Sequence, residues 1–542
     1  MELVEKSVDV LVVGSGGAGL RAAIEAAHKG VKTLLVSKAP VGLANCTIVS
    51  GGAFTVAIEG MTPGVHFNMT MDTGKSLNNA SLVKVLTEES PGRIYELEEM
   101  GLDLVKGKGR AIVKTSPGSS MIRGKKITRV MEIQAKKAGV SMDERVVLVD
   151  LILRDNRVLG AIGYNYASDQ LVIYQAKAVV MATGGAGAIY ARHDNPGHIT
   201  GDGYAVFYRA GVKLQDMEMV QFYPAGLADP QHADFLVPPT LMDEGKIFNT
   251  RQEDIKEKYK LPRKQIAIVA RDTLSRAVFQ EILLGNGIEG ALFLDLTEMP
   301  EEKWLADPLA ATAKRTFIEK LGAARQPLRI CPLCHHFMGG AVIDENCQAG
   351  VAGLYAAGEV AGGLHGANRM GGNALSETLV FGARAGSNAA LYAQDVDVKP
   401  MEKKLFNEEI NILQRMRHGS EKGKIAPESI KKELQKTMWD KAGLVRSKKG
   451  LQEALSLIKR LEKDHLSSLA ADSPRQFLEV LETINMVQVS QMVVTSALTR
   501  QESRGAHFRT DYIEQNDREW RRNILLQKRG EEIAVELGNM LA

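Results

Sequence analysis

Near the N-terminus an apolar, β-branched run, VDVLVV at residues 8–13, feeds directly into Gly14-Ser15-Gly16-Gly17-Ala18-Gly19. LRAAIEAAHKG then has the pattern of a helix closing at Gly30, and VKTLLVS reads as a second strand. Strand, glycine turn, helix and strand place G-x-G-x-x-G where a dinucleotide is held. Gly14 makes the tight turn, Gly16 lets backbone approach a pyrophosphate, and Gly19 lets the helix pack on the strand. The helix N-terminus then faces the anion. The acidic residue that grips ribose in NAD-binding folds is missing, because Ser37 and Lys38 stand after the second strand. That argues against plain NAD.

Composition narrows the class. At 542 residues the chain has room for roughly three to four domains. Apolar residues make up 44% and charged residues 25%, which excludes a disordered chain. Four cysteines exclude a disulfide scaffold and suit a reducing compartment. Lys and Arg total 68 against 65 Asp and Glu, so no basic stripe for nucleic acid is implied. The start, MELVEKSVDVLVVG, lacks a signal-peptide pattern, and no apolar run approaches the ~20 residues that span a bilayer. The expectation is a cytoplasmic protein with no direct membrane insertion, reaching a membrane only through a partner.

Further glycine elements follow at 177–190 (KAVVMATGGAGAIY), 199–212 (ITGDGYAVFYRAGV) and 352–386, the last ending in a small-residue helix. Each offers close backbone approach to one cofactor, so the nucleotide domain is read as interrupted. The segment between, with DEGKIF, LPRKQIAIVARDTLSRAV and ALFLDL, has a mixed α+β pattern. Beyond about residue 400 glycine thins out and amphipathic helices dominate. The fold class is thus α/β: a Rossmann-like domain at 1–225 and 336–398, an α+β capping domain at 226–335, and a helical C-terminal domain at 399–542.

The blocks VGSGGAGLRAAI, VVMATGGAG, TGDG, HHFMGG, GLHGANR with NAL, and ESRGAH (502–507) carry a resemblance. With them the chain resembles the flavoprotein subunits of the succinate dehydrogenase and fumarate reductase family, which includes L-aspartate oxidase. The resemblance implies FAD, with contacts at Gly14, Gly16, Gly17, Gly19, Ser37, Lys38, Gly51, Gly52, Asp202, Glu359, Ala374 and Leu375. Many members attach the flavin to a histidine just before a Gly-Gly pair. In GLANCTIVSGG the matching residue is Asn45, which cannot form that bond, so non-covalent FAD is expected. No metal is implied. An iron–sulfur electron-transfer subunit is the implied partner, because the chain has no cysteine run for a cluster of its own.

The resemblance also implies the chemistry: an α,β-unsaturated carboxylate and its saturated form are interconverted, by a hydride at flavin N5 and a proton from the protein. Arg271 matches the proton-shuttle arginine, with Asp243 or Glu244 as a relay carboxylate. His335 and Arg369 match the residues that hold the substrate carboxylate. The opposite wall departs from the family. Where dicarboxylate-holding members have histidine, MVQFYPAGL has Tyr223, and Val237, Pro238 and Leu241 fall where a Thr-Glu pair and a relay arginine are expected. A small carboxylate other than plain fumarate is therefore expected: a monocarboxylate or a substituted succinate. The alternatives are fumarate reductase or succinate dehydrogenase proper, a solo oxidase like L-aspartate oxidase, and an electron-transfer subunit without a small substrate. Cys331-Pro-Leu-Cys334 reads either as two packed thiols or as a dithiol exchanging electrons with the flavin.

Overall fold

Strand β1 (Glu2–Val13) lies in parallel between β2 (Thr33–Ser37) and the strand that ends at Met181, with Val13 opposite both Val36 and Met181. Helix α1 (Gly17–His28) connects the first two strands, as the glycine turn requires. The sheet is completed by β3 (Ser141–Glu144), β4 (Val146–Arg154), β5 (Arg157–Asn165) and β6 (Gln170–Met181), in the order β3-β2-β1-β6-β5-β4. A seventh strand, Leu354–Ala356, pairs in parallel with β6. That register brings the turns after β1, after β6 and after Ala356 to one edge of the sheet, the edge at which such folds bind ligands. This computed structural model describes residues 1–115, 123–228, 236–264, 266, 270–305, 308–397, 401–418, 425–466, 469 and 471–541. Residues 265 and 267–269 of the LPRKQIAIVARDTLSRAV segment lie outside them.

Helix α2 (Asp202–Arg209) opens from the TGDG turn, with Gly201 in the left-handed region at φ +85°. The chain then enters a second sheet of β7 (Val220–Leu227), β8 (Lys246–Phe248), β9 (Leu292–Asp295) and β10 (Leu328–Phe337), antiparallel in the order β7-β10-β9-β8. Helix α3 (Arg271–Leu283) packs on β7. This region has its own apolar core, running from Tyr223 to Leu333 and separate from the main one. A cavity can therefore form where the two cores meet.

Helix α4 (Asn373–Asp395) lies against α1, and its small residues are the reason. A Cβ on Gly382 would come within 2.7 Å of the Ala18 carbonyl oxygen, and one on Gly386 would collide with that of Ala22. The C-terminal helices α5 (Pro427–Ala442), α6 (Lys448–Arg460) and α7 (Pro474–Thr499) share one core with the large sheet. The expected helical C-terminal region is thus present but carries more: β11 (Ile524–Arg529) and β12 (Glu532–Leu537) form a hairpin that joins short strands at 214–215 and 340–341. The ESRGAH block fastens this region. Arg500 is fully buried and pairs with Glu218 at 2.6 Å, Glu502 at 3.1 Å and Asp216 at 3.3 Å, and Arg504 pairs with Glu502 at 2.7 Å.

Candidate active site

A cavity of about 530 Å³ runs from the glycine turn after β1 to a chamber under the second sheet. Its first part is made mostly of backbone. Gly14 has φ +113°, and a Cβ there would collide with the Ala182 carbonyl. A Cβ on Gly19 would collide with the carbonyl of Gly14. At Gly16, by contrast, a Cβ would find no atom nearer than 3.7 Å, and at Gly184 none within 4 Å. The first and third glycines of the motif are thus required for packing, while Gly16 and Gly184 leave backbone open to the cavity.

Two helix N-termini open here, and neither carries a side-chain cap: α1 behind Gly16 and α4 behind Gly372. One amide is taken, since Gly17 donates to Thr47 Oγ1 at 3.0 Å. Ala374 and Leu375 lie in the first turn of α4 and line the cavity, as do Gly51 and Gly52. A long cleft with bare glycine backbone and two uncapped helix N-termini fits a dinucleotide with its pyrophosphate. The residues present therefore fit FAD.

The polar residues expected to touch FAD line the same cleft but also serve each other. Ser37 Oγ lies 2.7 Å from Ser15 Oγ. The Lys38 ammonium donates to Asp202 at 2.6 Å and to Thr200 at 3.0 Å, and pairs with Glu482 of α7 at 3.1 Å. Burial works against that charge, but the carboxylates of Asp202 and Glu482 hold Lys38 above its ordinary value. Asn45 caps the short helix Cys46–Val49 by accepting from the Ile48 amide at 3.0 Å. Glu359 accepts from the Phe337 amide at 2.9 Å, and burial pushes its carboxyl up to about 8.

The chamber collects Tyr223, Arg271, His335 and Arg369, which are scattered over nearly 150 residues of sequence. Arg271 is the first residue of α3, and its Nη1 donates to Gln221 Oε1 at 3.1 Å. Its guanidinium stands 5.7 Å from the Tyr223 ring centre, and the rings of Tyr223 and His335 are also 5.7 Å apart. The Tyr223 hydroxyl donates to the Val237 carbonyl at 2.7 Å. His335 Nδ1 lies 2.6 Å from Asp194 Oδ2. Arg369 is buried, and among the described residues its Nε has no acceptor. Burial, then the charge of Arg271, brings Arg369 down to about 9. Burial also lowers Arg271. His335 is lowered by burial first, with Asp194 opposing and the two arginines adding to the fall.

Two expectations do not survive. Asp243 does not line the cavity: its carboxylate accepts from the Ile266 amide at 2.9 Å, and Glu244 pairs with Lys303 at 3.0 Å. The segment that carries both is a short helix, Pro239–Glu244, which turns them out of the chamber. The dithiol also fails. Cys331 and Cys334 are three residues apart on β10, so their side chains leave opposite faces of the strand. Both are free thiols, and Cys331 Sγ accepts from Arg192 at 2.7 Å.

Sequence reading missed Asp194 and Gln221. Gln221 could have been found, since it stands two residues before Tyr223 on a strand and so shares its face. Asp194 lay in the polar stretch RHDNPGH ahead of TGDG but had no motif of its own. His336, His365 and Glu377 also gather, with their ligand-capable atoms within 4.8 Å of one another. His365 and Glu377 are bonded at 2.9 Å, and burial and the Arg369 charge hold His336 well below its ordinary value.

Known proteins resemble this chain over nearly its whole length. Residues 9–375 match the FAD binding domain family, and residues 431–540 match the fumarate reductase flavoprotein C-terminal family. A fumarate reductase (CoM/CoB) subunit from Methanothermobacter marburgensis is 36% identical over 96% of this chain and 97% of its own length. L-aspartate oxidase of Synechocystis is 28% identical over 96% and 97%. Among solved structures, Mycobacterium smegmatis Sdh1 superposes with a TM-score of 0.86 at 30% identity, covering 98% of this chain and 94% of that one. The flavoprotein of E. coli quinol fumarate reductase gives 0.87 at 26% identity, covering 99% and 97%. Fold and site define an FAD-dependent oxidoreductase acting on CH–CH bonds. Within that class the chain belongs to the succinate dehydrogenase and fumarate reductase flavoprotein family. Among the described residues no helix is long and apolar enough to cross a membrane.

Proposed function

We propose that this protein interconverts an α,β-unsaturated carboxylate and its saturated form, with preference for a monocarboxylate or a substituted succinate. The observation that carries the reading is Arg369, a buried guanidinium on the chamber wall whose Nε has no acceptor among the described residues. A buried guanidinium with an unmet donor is costly, and a substrate carboxylate removes that cost. Bound FAD would supply the two-electron exchange, as a hydride given to or taken from one carbon of the double bond.

The chain's own residues do the rest. Arg369 and His335 hold the carboxylate and stabilise the negative charge that builds up on it during the reaction. Arg271 gives a proton to the other carbon in reduction and takes it back in oxidation. Burial, which lowers its affinity for that proton, suits it to this role. Gln221 fixes the guanidinium by the 3.1 Å hydrogen bond. Tyr223 has its hydroxyl occupied by Val237, so it presents a ring where a second carboxylate would need a donor. Asn45 leaves the flavin non-covalent, and acid precipitation of the holoprotein is expected to release all the flavin into the supernatant.

Anaerobic stopped flow tests the reaction. The dithionite-reduced protein is mixed with fumarate, acrylate, cinnamate and urocanate. Fast reoxidation by a non-fumarate acid, absent in Arg271→Ala, is the expected result. Reoxidation by none of these acids would count against the reading. A second reading, fumarate itself, is favoured by the Methanothermobacter relative, which is named as part of a fumarate reductase, and fumarate outpacing the others would establish it. That relative is one subunit of its enzyme, which supports an external electron carrier here, and an iron–sulfur protein is the proposed kind. Co-purification of such a partner supports this; turnover with O2 alone, yielding hydrogen peroxide, would point to a solo oxidase instead.

A further inference from the structure

Arg271 sits at the least secure end of its helix. It is the first residue of α3, and Ala270 at the N-cap position makes no side-chain hydrogen bond to the helix. First turns without such a cap open most readily. Two ties hold this end to β7: Gln221 takes the Arg271 guanidinium, and Ser275 Oγ, one turn on, donates to the Phe222 carbonyl at 3.1 Å.

Arg276 ties the same turn to a different part of the molecule. It reaches back over the first turn, with Nη1 donating to Asp272 Oδ2 at 3.1 Å and Nη2 to Thr273 Oγ1 at 3.3 Å. Nη1 also donates to the Gly505 carbonyl at 3.1 Å, and the guanidinium stands 5.2 Å from the Phe508 ring centre. Arg276 and Asp272 are each 22% exposed, so their ion pair alone would fix little. The grip on a main-chain carbonyl and a ring is what anchors the turn.

Gly505 is in turn placed against the loop that carries Arg369. It has φ +54°, and a Cβ there would stand 2.4 Å from the Ala367 carbonyl oxygen. That carbonyl accepts from the Ala506 amide at 2.9 Å, and the Ala367 amide donates to the Gly74 carbonyl at 2.8 Å. Ala367 and Ala506 belong to a small apolar core with Leu77, Met219 and Met338, separate from the two larger ones. A path of direct contacts therefore runs from the first turn of α3 through Arg276 and Gly505 to Ala367, two residues before Arg369.

Resting on the proposed function, we infer that Arg276 is a positioning residue: it pins the first turn of α3 to the Gly505 turn and so holds Arg271, the proposed proton donor, at a fixed reach from a carboxylate seated on Arg369. Gln221 sets the same spacing from inside the chamber, because its Nε2 donates to the Arg369 carbonyl at 3.0 Å. Arg276 fixes from outside the backbone on which Arg271 stands. Without Arg276 the loop of Arg369 keeps its contacts with Ala506 and Gly74, so a carboxylate still binds. Only the donor is displaced, and a misplacement of about 1 Å costs roughly 10²-fold in rate.

The test uses the holoprotein. Reoxidation of the dithionite-reduced flavin is followed by anaerobic stopped flow with the fastest acid among fumarate, acrylate, cinnamate and urocanate. The Kd values for butyrate and succinate are read from the spectrum of the oxidised flavin. Arg276→Met is expected to slow reoxidation by about 10- to 100-fold while both Kd values stay within about twofold of wild type. In an Arg271→Ala background the same substitution is expected to add no further loss, because the residue through which it acts is gone. An unchanged rate overturns the inference, as does a rate that falls together with affinity, or a loss that multiplies with that of Arg271→Ala. Phe508→Leu removes only the ring beside the guanidinium. It is expected to show the same split in smaller measure, and it decides the matter if Arg276→Met does not fold. Reoxidation of the wild type by none of these acids would overturn the proposed function itself. Reoxidation slowed by Arg271→Ala but not by Arg276→Met would overturn only the role of Arg276.

Discussion

The two ends of the cavity are built from different materials. The flavin end is backbone: glycines at the end of β1, open amides, and the starts of α1 and α4. The other end, the proposed substrate end, is side chains, carried by α3, β7, β10 and two loops and held in place by one another. The turn itself tolerates little change, because a Cβ on Gly14 or Gly19 has no room beside a backbone carbonyl. Side-chain sites can exchange a histidine for a tyrosine on an unchanged frame. A cofactor common to the family can therefore share one chain with a substrate wall that is free to change.

The largest expected effect separates the ends. Arg271→Ala removes the proposed proton donor, and its loss is expected to slow turnover by about 10²–10⁴-fold. Flavin content and absorbance spectrum should stay near wild type, because Arg271 belongs to the substrate end. Loss of flavin in this variant would break the comparison.

Gly19→Ala is the opposite probe. Its methyl would press on the Gly14 carbonyl, within the turn itself. Forced overpacking of this kind costs about 1–3 kcal/mol and more against rigid backbone. The expected outcome is a protein that purifies with little FAD and melts earlier, measured as the flavin-to-protein ratio and Tm. A variant that keeps full flavin would show that the turn can yield.

A smaller effect sharpens the substrate side. Tyr223→His gives up the bond to Val237 and offers a donor to a second carboxylate. A hydrogen bond to a charged group contributes roughly 1.5–3 kcal/mol, so kcat/KM for fumarate relative to a monocarboxylate should rise by about tenfold or more. An unchanged ratio would mean that the Tyr223 wall does not select the substrate.

The same contrast explains what could be read in the sequence. Glycine spacing, strand length and helical period are local, so the nucleotide fold and its turns were legible from residues 8–37 and 177–212. Arg271, His335 and Arg369 were legible only through their family motifs. Asp243 stands off the cavity because Pro239–Glu244 coils into a short helix, a backbone choice that the DEGKIF pattern did not reveal. Asp194 meets His335 only because a loop bridges onto Cys334, 141 residues of chain separating the two partners. No local pattern encodes that pairing. The terminal hairpin was missed for a similar reason: its burial pattern is mixed, and its partners are two-residue strands far away in sequence.

The smallest effect is expected at neither end. Asp216, Glu218 and Glu502 share Arg500, Glu502 is also held by Arg504, and two guanidiniums do not fully offset three carboxylates. Burial and the neighbouring Glu218 push Asp216 up to about 7 from an ordinary 3.8, even though Arg500 and the Ile524 amide at 3.0 Å pull it down. A carboxyl raised on folding holds its proton more tightly in the native state. Its contribution to stability is complete below about pH 4 and is lost as pH rises through about 7. Asp216→Asn keeps an acceptor for the Ile524 amide but removes the titration. Between pH 5 and 7.5 the wild-type Tm is expected to fall more steeply than that of the variant, while flavin content and the affinities for succinate and butyrate stay the same in both. A parallel fall in the two proteins would mean that Arg500 and Arg504 neutralise the cluster fully. A change in either end's readout would mean that the buried cluster is coupled to the cavity, and the two ends would then have to be treated as parts of one electrostatic unit.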